Sequence, residues 1–63
     1  MKIKDLCDVM YDNERVEIYD GRRNMGLLHH DTAARLRLDR EWKDKEVYTI
    51  EPYSSVMIVY LGC

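Results

Sequence analysis

Ile3, Leu6, Cys7 and Met10 recur at i, i+3, i+4 and i+7, which sets four apolar side chains on one helical face with Val9 at its margin. This spacing predicts a short helix over residues 3–10. Its start is poorly capped: Lys2 offers no acceptor, and Lys2 and Lys4 oppose the helix dipole, which Asp5 and Asp8 offset only in part. Packing must therefore stabilise it. Asp12-Asn13 supplies turn chemistry, and Arg15-Val16-Glu17-Ile18-Tyr19-Asp20 then alternates polar and apolar residues, the period of a half-buried strand with Val16 and Ile18 inward. Gly21-Arg22-Arg23-Asn24 suits positive backbone dihedrals and reads as a hairpin loop, with a return strand over about residues 25–30.

Asp31 or Thr32 is placed to cap a second short helix through Ala33, Ala34, Arg35 and Leu36, although Arg35-Leu36-Arg37-Leu38 also alternates like a strand. Residues 39–44 are strongly charged and read as a connecting turn anchored by Trp42. Residues 46–51 are rich in β-branched and aromatic side chains and end at Pro52; Tyr53-Ser54-Ser55 turns the chain into a strand over residues 56–61. Because that last strand is apolar at every position, it should be central or covered on both faces. The whole predicts one α+β domain over residues 1–63: a small antiparallel sheet of about four strands in two hairpins, with an N-terminal helix and a short middle helix. Two short helices cover one sheet face only, so the other is expected to stay open and to act as an interaction surface.

A chain of 63 residues buries only about 60% of the surface of its unfolded form, so the core must be small. Its 46% hydrophobic and 35% charged residues are those of a globular domain, not of a disordered chain. The longest apolar run, residues 56–61, is far below the roughly 20 residues of a membrane-spanning helix. With no signal-peptide pattern at the start, the expected compartment is the cytoplasm. Two cysteines are few for a disulfide scaffold, which favours a buried Cys7 thiol and a loose Cys63 over a bridge between them.

Net charge is −2, which argues against binding nucleic acid through a global positive field. The charge is nonetheless segmented: residues 1–20 sum to −3, residues 21–45 to +3 and residues 46–63 to −2. Five arginines, Arg22, Arg23, Arg35, Arg37 and Arg40, lie near Trp42 in the basic segment, where guanidinium groups suit a partner's carboxylates or phosphates. The competing reading is local neutralisation by Asp39, Glu41 and Asp44. With Tyr19, Tyr48 and Tyr60, these arginines and Trp42 form the predicted partner-binding set.

Other chemistry is weaker. His29-His30-Asp31 carries metal-ligand types, but adjacent strand residues point to opposite faces, so no metal or other cofactor is expected. Cys7 sits on an apolar helix face, where thiols are usually inert, and the carboxylates of Asp8, Asp12, Glu14, Glu17 and Asp20 read as a solvated acidic face. No glycine-rich phosphate loop is present among three glycines, and enzyme activity is not expected.

The Ile3-Lys4-Asp5-Leu6 opening, the Val16-Glu17-Ile18-Tyr19-Asp20 strand, and the close through Pro52, a polar turn and an apolar strand ending at Tyr60 resemble short proteins of Gram-positive phages, prophages and conjugative elements. Most of that group have no known function. The resemblance implies a mobile-element accessory protein; such gene neighbourhoods also hold small inhibitors of host defence, anti-CRISPR proteins among them. It assigns no functional residue.

The expectation is a non-enzymatic protein-binding module, in its sharper form a host-defence inhibitor whose acidic first segment mimics nucleic-acid charge. One alternative is a nucleic-acid binder using the central arginines. Another is a homodimer formed through Tyr48, Met57, Val59 or Tyr60 on an open face, or through an unprotected edge strand.

Overall fold

The computed structural model describes residues 1–21 and 26–62. The predicted hairpin loop at residues 22–24, Met25 and Cys63 lie outside the described residues. The chain runs α1 (Ile3–Cys7), β1 (Arg15–Asp20), β2 (Leu27–Thr32), α2 (Ala33–Leu36), β3 (Val47–Pro52) and β4 (Met57–Leu61). This is the expected α+β layout of four strands and two short helices.

The sheet order is β2-β1-β4-β3. Each predicted hairpin forms, β1 antiparallel to β2 and β3 antiparallel to β4. The two hairpins join through a parallel β1–β4 pair, with Val16 opposite Met57 and Ile18 opposite Val59, so the sheet is mixed where antiparallel pairing throughout was expected. The join matches side chains. It aligns the two inward residues of β1 with Met57 and Val59 and buries both sets under the helices.

α1 ends at Cys7, three residues early, because the chain tightens: Val9 N–H donates to Leu6 O at 3.2 Å and Met10 N–H to Cys7 O at 3.2 Å, both i→i−3. Met10 still packs against the core. The poorly capped start is rescued by tertiary bonds: Ile3 N–H donates to Lys45 O at 3.0 Å and Lys4 N–H to Lys43 O at 2.9 Å. Asp5 reaches back to accept from Lys2 N–H at 3.0 Å, and Asp44 sits 3.4 Å from Lys4 Nζ, offsetting the charge that opposes the dipole. At α2 the cap is Thr32, whose hydroxyl accepts from Arg35 N–H at 3.4 Å.

The core lies between the helices and one face of the sheet. Ile3, Cys7, Val16, Ile18, Ala33, Leu36 and Val59 are fully buried, and Leu6 and Leu61 nearly so. Cys7 is a free thiol whose pKa burial pushes up. Residues 39–44 form the expected turn, organised by Asp39, whose Oδ1 accepts from Glu41 N–H at 2.9 Å and Trp42 N–H at 3.3 Å. Pro52 is tolerated as the last residue of β3 because β3 is an edge strand.

Candidate functional site

Strand alternation sorts the remaining side chains. With Val16, Ile18, Val59 and Leu61 facing the helices, Glu17, Tyr19, Ile58 and Tyr60 face the other way, and the register adds His30 beside Glu17, Glu51 beside Ile58 and Thr49 beside Tyr60. No described element covers this face. It carries two rows across the sheet: His30, Glu17, Ile58 and Glu51, then Leu27, Tyr19, Tyr60 and Thr49, with Leu27 exposed.

The two rows are tied together. Tyr19 donates its hydroxyl proton to Glu17 Oε1 at 2.8 Å, and Tyr60 donates to Glu51 Oε1 at 2.8 Å. The Tyr19 and Tyr60 rings pack with centroids 5.9 Å apart and planes tilted by 42°. Both phenol pKa values are raised, first because the carboxylate accepts a bond that only the neutral phenol can donate. Beneath this canopy Ile58 is 9% exposed although it lies outside the main core cluster. β4 is therefore central, as one of the two predicted alternatives has it, and on this face only side chains shelter Ile58. At one corner Arg15 Nη2 donates to His30 Nδ1 at 3.1 Å, which places positive charge beside β2.

The predicted partner-binding residues fall in three places. Tyr19 and Tyr60 meet on the open face, whereas Arg35, Arg37, Arg40 and Trp42 belong to the helical side of the sheet. Arg22 and Arg23 lie outside the described residues. Tyr48 stands 71% exposed at a bulge in edge strand β3, close enough to Gly62 that a Cβ there would lie 3.3 Å from its own Cβ. Met57 and Val59, expected on the open face of a dimer, instead pack into the core, because the parallel register sets their parity with Val16 and Ile18.

Arg37 is committed within the fold. Its Nη2 donates to Cys7 O at 3.0 Å, Nη1 and Nη2 both reach Asp12 Oδ1 at 3.2 Å, and Nε lies 3.2 Å from Asp8 Oδ1. Arg35 and Arg40 are exposed and make no ion pair among the described residues. The expected local neutralisation of the basic segment takes a different form: Asp44 serves Lys2 and Lys4, Asp39 organises the turn, and Asp8 and Asp12 serve Arg37. The acids of the first segment accordingly share no single face. Asp8 and Asp12 turn to Arg37, Glu14 accepts from Tyr11 N–H at 3.0 Å, and Glu17 is on the open face.

Trp42 packs against the core and stacks on His29, with ring centroids 5.1 Å apart and planes 6° from parallel. His29 Nε2 is 3.9 Å from Asp39 Oδ2, and Lys45 Nζ lies 5.9 Å from the centre of the Trp42 ring. His29 and His30 thus diverge to opposite faces, as alternation requires. Among the described residues no three His, Cys, Asp or Glu side chains group as metal ligands, and no helix is long and apolar enough to cross a membrane.

Glu51 and Ile58 are members of the open face that sequence reading did not place there; the only signal for Glu51 is its register opposite Ile58. No family model, no curated protein and no solved structure matches this chain.

Proposed function

We propose that this chain is a small non-enzymatic module of mobile-element origin that works in the cytoplasm by docking a protein partner on the open face of its sheet. One observation carries the reading: Tyr19 and Tyr60 stand together on a sheet face that no described element covers. Tyrosine gives large contact area at low entropic cost and is enriched where interfaces are energetically concentrated. Inhibition of a host defence protein is the sharper form of the proposal, supported by the carboxylates that flank the tyrosines. The nucleic-acid alternative is weakened by Arg37, which is engaged by Asp8, Asp12 and the Cys7 carbonyl.

The test is a photo-reactive phenylalanine analogue placed at position 60 and, separately, at Leu38, which is 77% exposed on the helical side. Both are expressed in a Gram-positive host. Cross-linking at position 60 but not at 38, competed by unlabelled protein and not by its Tyr19→Ala, Tyr60→Ala variant, is expected. Equal labelling at both positions, or none at 60, overturns the proposal. Light scattering on the reduced protein at low and high salt establishes beforehand whether a second copy already occupies the face.

A further inference from the structure

We infer that the occupant of this face is an extended, arginine-bearing segment of a partner protein, an inference that rests on the docking reading above. The argument begins with size. Four strands spaced about 4.8 Å apart, each about five residues long at about 3.3 Å per residue, make a face of roughly 300 Å². A face this narrow, only four strands wide, has the footprint of an extended segment laid along the strands.

Charge selects the chemistry of that segment. Glu17 and Glu51 flank Ile58 on either side of β4, about 10 Å apart by strand spacing. Each carboxylate uses Oε1 to accept a tyrosine hydroxyl, and neither Oε2 has a bonded partner among the described residues. Between and beside them lie the Tyr19 and Tyr60 rings, 5.9 Å apart. An aromatic ring whose hydroxyl is already bonded to an anion presents a negative face, and a guanidinium satisfies ring and carboxylate at once by stacking on one and donating to the other. The tyrosine–glutamate bonds fix both groups before binding, which removes part of the ordering cost.

The same features disfavour a second copy. Face-to-face association would bring two more carboxylates and only one more arginine, Arg15, onto the face, so the pair would carry an excess of negative charge. Arg15, on β1 two residues from Glu17 and held on His30, makes the β1–β2 corner positive and leaves the β4–β3 side, with Glu51, as the more acidic end of the face.

The experiment is a nitrogen-15 NMR titration of the intact chain with octa-arginine, with octa-glutamate as comparator. Shift changes centred on Glu17, Tyr19, Glu51, Ile58 and Tyr60 are expected with octa-arginine alone, weakening several-fold as salt rises. The Glu17→Gln, Glu51→Gln variant should bind at least tenfold more weakly, whereas Tyr60→Phe, which keeps the ring and frees a carboxylate, should stay within about threefold. Shifts as large at Asp8, Asp12 and Asp44 would reduce the effect to general attraction and overturn the inference. So would binding of octa-glutamate at this face or the absence of any shift. If position 60 cross-links a partner while octa-arginine fails, the docking reading stands and its cationic occupant falls; if both fail, both fall.

Discussion

Arg37→Ala should unfasten the junction between the two helices. The side chain is 31% exposed, hydrogen-bonds the Cys7 carbonyl at the end of α1 and Asp12 in the following turn, and pairs with Asp8 between them by charge alone. The bond to the carbonyl contributes about 1 kcal/mol. Cys7 O also accepts from Met10 N–H at 3.2 Å, so removing Arg37 leaves it bonded and adds no further penalty. Asp8 and Asp12 are 60% and 75% exposed, and solvent screening holds each contact to about 0.5 kcal/mol. The expected loss is about 2 kcal/mol, against a total stability of roughly 3–9 kcal/mol for a chain of this length. The melting temperature should fall by roughly 8–16 °C. Urea denaturation followed by circular dichroism measures the difference directly. In about 1 M salt, the gap between wild type and variant should shrink to about 1 kcal/mol as the carboxylate share is screened. Arg37→Lys, which keeps the charge but not the planar fork, should recover no more than half. A loss below about 0.5 kcal/mol, or a gap indifferent to salt, would refute this division of the contacts.

Alkaline pH should destabilise the fold. The pKa of Cys7 is raised by burial, and those of Tyr19 and Tyr60 by their carboxylate acceptors, so each contribution is whole below the unfolded values of 9.0 and 10.0 and is lost as pH rises through the folded ones. The urea midpoint should be level up to about pH 8.5 and fall above it, with Cys7→Ala removing the earlier part; a midpoint that rises above pH 9 contradicts the assignment. Gly21→Ala should cost about 1–3 kcal/mol, because a Cβ there would lie 3.0 Å from both Leu61 O and Tyr60 Cβ; an unchanged denaturation curve would show that β4 yields without strain. His29→Ala uncovers one face of Trp42, and the expected results are a red-shifted indole emission and a loss of about 0.5–1.5 kcal/mol. Unchanged emission would mean that the two rings do not stack in solution.

Local patterns made β1, both hairpins and the apolar face of α1 legible, since each depends on residues within a few positions of one another. The parallel junction was not legible. Every position of β4 is apolar, so the strand itself carries no parity, and only its pairing with Val16 and Ile18 sends Met57 and Val59 inward and Ile58 and Tyr60 outward. The candidate site inherits the same limit. Tyr19 and Glu17 are two apart on one strand face and readable together, but Glu51 reaches Tyr60 only through a register fixed in space. The arginines mislead in the opposite sense: adjacency in sequence suggested one basic surface, whereas Arg37 turns to Asp12, 25 residues upstream.

The parallel pair also sets a timetable. β1 is made early and its parallel partner β4 about 40 residues later, so the strand that completes the middle of the sheet is the last of the four to be made. Until then, the first hairpin has neither a neighbour along one edge nor the Val59 and Leu61 surface on which the helices rest, and a lone hairpin is marginal in water. Synthesis and folding therefore run in different orders. A chain stopped before β4 is therefore expected to lack stable helix and strand, and far-ultraviolet circular dichroism of such a fragment would show it.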